Sequence, residues 1–333
     1  MIDRRRFVRG SGGALVSASL ASVSVPHVAW AADAPLRIAT VKFGSLSWVL
    51  ETIKVEGLDK KSGLTLEIVE VPSNQAGPVA LLSNGADVIV SDWTWAMRQR
   101  AVGEKLKFSP YSSALGAVVV PEQSAIKTLA DLEGKSLGVA GSNIDKSWLL
   151  LRAYSKKKLG RDIAEIANTS YGAAPLLAEE IRSGRIDAVL NFWTFTARLE
   201  GSGFRSILTV ADIMKDLGVD PVPSLVGFIW KEGYEALNAS KVHTLLAIVD
   251  EANQILLTSD MAWDRLRPLV KPGSDAEMKS IMVHYRAGIP KTWGADQMKS
   301  AEKLMQILVG AGDAELMGHD TSFDARLFRN AAS

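Results

Sequence analysis

The sequence predicts an α/β protein of two doubly wound sheets, joined by two crossovers and followed by extra C-terminal helices. Three observations predict it. Short β-rich runs alternate with helically spaced segments from Leu36 to about Trp230. One short device occurs twice: "DVIVSDWTW" at 87–95 returns as "DAVLNFWTF" at 187–195. In it Asp87 matches Asp187, Trp93 matches Trp193, Thr94 matches Thr194 and, just beyond, Arg98 matches Arg198. From about Ala239 onward the text is mostly helical.

The elements follow in order. "LRIAT" (36–40) is β-rich, and "LSWVLETIKVEGLDKKSG" (46–63) has helical spacing that stops at a glycine. "LTLEIVEV" (64–71) alternates apolar and polar residues as a strand does. "AGPVALLSNG" (76–85) reads as a helix ending at Gly85, "ADVIV" (86–90) as a short strand and "WTWAMRQRAVG" (93–103) as a helix. This βαβαβα order implies a parallel sheet with covered faces. A second unit starts with "GAVVV" (116–120), then a turn and short helix in "AIKTLADLEGK" (125–135). "SLGVA" (136–140), "AEIANTS" (164–170) and "DAVLNF" (187–192) are its further strands. "DKSWLLLRAYSKKKLG" (145–160), "AAPLLAEEIRSG" (173–184) and "TFTARLEGSG" (194–203) are helices between and after them. After "RSILTV" (205–210) and the Pro-bearing "DPVPS" (220–224), "LVGFIW" (225–230) is again a strand. The simplest architecture crosses twice, with one lobe from 36–112 plus 211–333 and the other from 117–210.

The chain has 333 residues, 47% hydrophobic and 23% charged, as a globular protein has. The first thirty-odd residues differ. "MIDRRRFVRG" is basic, "SGGALVSASLASVSV" is small and mildly apolar, and "AWAADA" offers a cleavage point after Ala31. That order reads as an export signal, residues 1–31, and "DRRRFVR" resembles the twin-arginine type with Asp3 where Ser or Thr is usual. Removing it takes away four Arg and one Asp, leaving 34 basic and 36 acidic residues and a formal net charge of −2. A nearly neutral chain argues against nucleic acid as partner. The chain has no cysteine, which excludes thiolate catalysis, thiolate metal sites and a lipid anchor on a thiol. His243, His284 and His319 stand at no metal-ligand spacing, so no metal and no cofactor is expected.

The passage "YSSALGAVVVPEQSAIKTLADLEGKSLGVAGSN" (111–143), above all "TLADLEGKSLGVAGS", resembles the lobe-to-lobe crossover of periplasmic solute-binding proteins of ABC importers. "LVGFIWKEGYEAL" (225–237) resembles the strand and helix after their return crossover. The subgroup it is similar to is the nitrate/sulfonate/taurine type, whose fold is shared by thiamine-pyrimidine-precursor binding and synthase proteins. The resemblance covers about 36–260. It implies the two-lobed type II periplasmic-binding-protein fold and a small-molecule ligand. It further implies an ABC permease with its cytoplasmic ATPase as partner, and a monomer free in the periplasm. The pyrimidine synthases carry a cysteine-rich motif that this chain lacks, so an enzyme is not expected. A sensor that docks its loaded form on a membrane signalling protein is the alternative to transport.

In open α/β sheets ligands sit beyond the carboxyl ends of the strands. Those ends carry "KFGSLSW", "SDWTW", "AGSN", "SYGA" and "NFWTF". The candidate ligand residues are therefore Ser45, Trp48, Asp92, Trp93, Gly141, Ser142, Asn143, Tyr171, Asn191 and Trp193. Trp93 and Trp193 would be flat walls on two jaws of one cleft. Gly141-Ser142-Asn143 would open a helix, either as an ordinary cap or as an anion site. Asp92 would either cap the helix at Trp93 or face the ligand, where it favours a cation or an N–H-rich heterocycle over a sulfonate. Asn191 would orient a polar ligand.

Overall fold

The structure is a computed structural model that describes residues 34–41, 44–290, 293–311 and 322–329. The export signal expected at 1–31 lies outside the described residues. Among the described residues ten strands run in chain order: β1 (Leu36–Val41), β2 (Leu66–Val71), β3 (Val88–Asp92), β4 (Leu106–Ser112), β5 (Ala117–Pro121), β6 (Ser136–Ala140), β7 (Asn168–Gly172), β8 (Ala188–Asn191), β9 (Phe204–Thr209) and β10 (Val226–Lys231). The helices are α1 (Leu46–Glu56), α2 (Leu58–Ser62), α3 (Ala76–Leu82), α4 (Trp93–Ala101), α5 (Lys146–Leu159), α6 (Ile163–Ile166) and α7 (Ala174–Arg182). They continue with α8 (Trp193–Glu200), α9 (Val210–Asp216), α10 (Glu232–Thr258), α11 (Asp260–Val270), α12 (Asp275–Gly288) and α13 (Ala295–Ala311).

The strands form two five-stranded sheets, ordered β2-β1-β3-β10-β4 and β7-β6-β8-β5-β9. The two orders are the same plan used twice. In each, four strands linked by helices lie parallel, and one antiparallel strand sits between the third and fourth of them. That antiparallel strand is β5 in one sheet and β10 in the other, each the first strand after a crossover. Each enters from the other sheet rather than by a return from the strand beside it, and runs against both its neighbours. The sheets are therefore mixed where the helix–strand alternation implied a parallel one.

The repeated Asp is explained by this plan. Asp87 precedes β3 and accepts from the Arg37 backbone N–H at 2.9 Å and from the Arg37 guanidinium. Asp187 precedes β8 and accepts from the Ser136 N–H at 2.8 Å and the Ser136 hydroxyl. Each carboxylate pins the start of the central strand of its sheet to the strand beside it. The duplication at these positions is register-setting.

Local departures from the sequence reading have plain causes. The helix expected over 46–63 breaks at Gly57, giving α1 and α2. The strand expected over 164–170 is preceded by α6, capped by Asp162, and starts at Asn168. β4 was not anticipated, because Pro110 and its serines hide it. It pairs antiparallel with β10 across an irregularity at Val226/Gly227. The text around 129–132 forms a 3₁₀ turn closed by a Thr128–Asp131 capping box. α13 packs on α5, and residues 322–329 return to the first sheet, where the Arg329 N–H donates to the Phe108 carbonyl at 2.9 Å. Among the described residues no helix is long and apolar enough to cross a membrane.

Helix α8 crosses α12 so closely that a Cβ on Gly201 would stand 2.4 Å from Glu277 Cα, a backbone atom that cannot step aside. Arg198 of α8 seals the crossing by donating to the Val270 carbonyl and Glu277. We expect Gly201→Ala to cost about 1–3 kcal/mol in urea unfolding by overpacking this crossing. Gly233→Ala, where the added methyl meets open space, should be neutral or stabilising by up to about 1 kcal/mol.

Candidate functional site

The carboxyl ends of the strands in the two sheets meet. On the first sheet, the link after β1 enters α1 at Ser45. No side chain caps α1, and Ser45 Oγ stands 3.3 Å from the Tyr111 hydroxyl at the end of β4. Trp48, in the first turn of α1, is buried among aromatic edges: Trp263 at 5.8 Å, Tyr285 of α12 at 6.1 Å and Trp193 at 6.0 Å between ring centroids. Trp193 begins α8 after the second sheet's β8, so this last contact joins the two sets of strand tips. Tyr285 also faces Trp193 at 6.2 Å and donates its hydroxyl to Asn253 Oδ1 at 2.6 Å. Burial pushes both the Tyr111 and Tyr285 hydroxyls well above the ordinary tyrosine range, so both are neutral donors at any physiological pH. A cavity of about 10 Å³ lies between them, bordered by Ser112, Asn253, Gly288 and Ile289. That is space for about one water molecule.

A second contact joins the tips. Asp92 ends β3 and caps α4, where its Oδ1 accepts from the Trp95 N–H at 2.8 Å and from the Thr94 hydroxyl. Its Oδ2 accepts from Lys146 Nζ at 2.7 Å, and Lys146 is the first residue of α5 on the second sheet. Burial acts to raise the Asp92 pKa. The Lys146 ammonium, with the bonds from Lys146, Thr94 and Trp95, outweighs it and holds the carboxyl below its ordinary range. Asp92 is therefore the cap of α4 by one oxygen, and its other oxygen bonds Lys146 of the second sheet.

The structure separates the other candidates. Trp93 does not wall a cleft. Its ring is fully buried, its Nε1 donates to the Ser224 carbonyl at 3.1 Å, and Phe323 and Phe328 cover it edge-on. The returning C-terminal segment thus makes Trp93 a core residue, while its repeat partner Trp193 stays half-buried at the tips. Asn191 is buried and already engaged, donating to the Ala174 carbonyl at 3.0 Å and accepting from the Phe192 N–H at 2.8 Å. It shapes the turn into α8, with its amide nitrogen and its oxygen each bonded to backbone.

Gly141 has φ of 95°, which turns the chain away after β6. Ser142 and Asn143 stand exposed and do not cap α5; Asp145 does, accepting from the Ser147 N–H at 2.8 Å. The helix end read as either an ordinary Ser142 or Asn143 cap or an anion site is thus taken by the Asp145 carboxylate, whose pKa burial raises against the pull of Lys146. Tyr171 is exposed, edge-on to Trp148 at 6.0 Å.

The candidates thus fall into two groups: Ser45, Trp48 and Trp193 gather with Tyr111 and Tyr285, and Asp92 meets Lys146 beside Asp145. Tyr111, Tyr285, Lys146 and Asp145 were not among the candidates. Lys146 had a signal: Asp145-Lys146-Ser147 reads as a cap followed by a lysine at the helix end that disfavours it. Tyr285 had none, since it comes from a helix far along the chain. Among the described residues no cluster of His, Asp and Glu could hold a metal. The assembled groups are aromatic edges, neutral hydroxyls and a spanning ion pair, which can grip a small molecule.

Asp92 also predicts an acid response. A carboxyl held low in the fold contributes stability that is full above the unfolded value of about 4 and fades as pH falls through the native value. Asp92→Asn, which can still cap, should lose about 1–3 kcal/mol near pH 7, and the deficit should shrink below about pH 4. Urea unfolding across pH checks this.

Comparison with known proteins agrees with the geometry. The family model described as NMT1/THI5 like matches residues 54–259. A Haemophilus influenzae protein named for thiamine biosynthesis is 30% identical over 137 residues, which is 40% of this chain and 42% of that protein; the match thus spans about two fifths of its length. Among solved structures, the alkanesulfonate-binding protein SsuA of Xanthomonas axonopodis pv. citri, bound to MOPS, superposes with a TM-score of 0.68 at 19% identity, over 90% of this chain and 99% of that one. The periplasmic aliphatic sulphonate binding protein SsuA of Escherichia coli gives 0.65 at 20% identity, over 82% and 85%. At these identities the likeness is one of fold, the periplasmic-binding-protein fold of binding components of ABC importers. Two five-stranded sheets with facing tips, and a family model covering most of the chain, lead to one conclusion: this chain belongs to the NMT1/THI5-like family.

Proposed function

We propose that the chain is the solute-binding receptor of an ABC importer, exported by its N-terminal signal and soluble in the periplasm. In this reading 36–112 with 211–333 make one lobe and 117–210 the other. A small organic ligand enters between them, the lobes shut, and the closed form delivers the ligand to the permease. The observation that carries the reading is the meeting of the strand tips, with Trp193 against Trp48 at 6.0 Å and Lys146 on Asp92 at 2.7 Å. Rings that close leave no room for a third between them, so a ligand enters only if the tips part. Contacts made solely in the shut form are what let a ligand shift such an equilibrium.

The wall chemistry favours a small aromatic or heterocyclic compound over an aliphatic sulfonate. Indole and phenol edges supply apolar area, and Ser45, Tyr111 and Tyr285 supply hydrogen bonds of the kind that orient a ring with polar substituents. The relative named for thiamine biosynthesis favours a second reading, in which the same gap serves a biosynthetic enzyme. The tip side chains include no thiol and no serine–histidine pair, so binding remains the better account.

The test is a thermal-shift screen of the chain lacking residues 1–31 against aromatic amines, heterocycles and sulfonates, with small-angle scattering on each hit. A ligand at about 100 times its Kd should add roughly 2.7 kcal/mol and shrink the radius of gyration. Trp193→Ala should remove most of the ligand shift while the ligand-free protein still folds. Trp93→Ala should instead cost about 3–5 kcal/mol of stability with no ligand present. A tight binder that produces no compaction would contradict the receptor reading.

A further inference from the structure

The two charges that meet at the tips differ in freedom. Asp92 is fixed: one of its oxygens is committed to the α4 cap through Trp95 and Thr94, so the carboxylate cannot turn away without unravelling the first turn. Lys146 is not. Its ammonium ends a flexible four-carbon stem and its side chain keeps about a quarter of its surface in solvent. Its own helix does not favour it there, because a cation at a helix N-terminus faces the positive end of the dipole. The cap of that helix is Asp145, a second carboxylate held in place by the Ser147 N–H. The anchored charges at the tips are therefore both negative, and the positive charge of Lys146 between them is movable.

This asymmetry decides which ligand charge the gap accepts. An anion that drew Lys146 from Asp92 would leave a largely buried carboxylate without its partner, and one that shared the ammonium would sit against the like charge of Asp92. A cation or a strongly polarised N–H group can take the Lys146 position on Asp92 Oδ2 while Lys146 swings to water, so the buried carboxylate keeps a partner and the displaced ammonium is hydrated.

We propose that Asp92 sets the charge class of the ligand, selecting a cationic or amidine-like N–H group, and that Lys146 is an internal stand-in that such a group displaces. The proposal rests on the receptor reading for its location. It narrows that reading to one class of solute and names a specificity-determining residue and its competitor.

The probes are benzamidine, an aromatic amidinium, and benzenesulfonate, an aromatic anion of similar size. Binding is read by thermal shift, and closure by scattering, on the chain lacking residues 1–31. Benzamidine should stabilise the wild type. It should stabilise Lys146→Met more, because the stand-in is gone, and should bind Asp92→Asn roughly 10- to 100-fold more weakly. Circular dichroism establishes that each variant is folded, and Lys146→Met alone suffices if Asp92→Asn is not.

Benzenesulfonate binding that Lys146→Met abolishes would overturn the proposal. So would equal benzamidine affinity in the wild type and Asp92→Asn, or no benzamidine response in Lys146→Met up to its solubility limit. The two readings fail separately. Compaction by a sulfonate removes the charge assignment and leaves the receptor. Benzamidine binding that depends on Asp92 without compaction removes the receptor and leaves the charge assignment.

Discussion

Parallel strands deliver their carboxyl ends to one edge of a sheet, and the features that distinguish this protein depend on two such edges being set against each other. Each sheet is assembled from four parallel strands joined through helices, so their tips carry helix N-termini and short turns. The crossovers then insert β10 into one sheet and β5 into the other, antiparallel, which gives the halves the same plan. With that arrangement fixed, a side chain at a strand tip faces either the opposite half or its own core, and small differences in the surroundings choose between them.

The repeated device shows how such a choice is made. The aspartates keep one job in both copies: each ties the start of its central strand to the strand beside it. The tryptophans diverge. Trp193 lies against Trp48 and Tyr285, and Trp93 is roofed by Phe323 and Phe328 from the far end of the chain. Arg198 of α8 and the His284–Glu200 pair, with Nε2 2.5 Å from the carboxylate, fasten the second sheet's α8 to α12. The aromatic cluster at the tips is thus composed of side chains from separated parts of the chain, held by a helix crossing with a glycine at its closest point.

Much of the fold was legible because its signals are local. Helix and strand periods, the caps and the crossover text "TLADLEGKSLGVAGS" each depend on neighbours in sequence. β4 was hidden because Pro110 and three nearby serines mimic a loop, and only pairing with β10 makes it a strand. The site was legible in part for the same reason. Ser45, Trp48, Asp92 and Trp193 lie at strand tips that order alone locates. Tyr111, Tyr285 and Lys146 join by tertiary contact between distant parts of the chain, as the 54-residue separation of Asp92 and Lys146 illustrates. The fate of Trp93 was illegible in the same way, since the covering Phe328 is more than two hundred positions away.

The central claim is that the two sheets part and shut around a guest. It is tested most directly by a distance measured across the gap. The chain has no cysteine, so Val79→Cys on α3 and Leu176→Cys on α7, both at exposed positions, place two spin labels uniquely, one on a helix of each sheet. Pulsed electron resonance on the doubly labelled chain should give a broad or two-peaked distance distribution without ligand, collapsing to one narrow peak once a tight ligand is bound. A single distance that a demonstrably bound ligand leaves unchanged would show a rigid body and contradict the account.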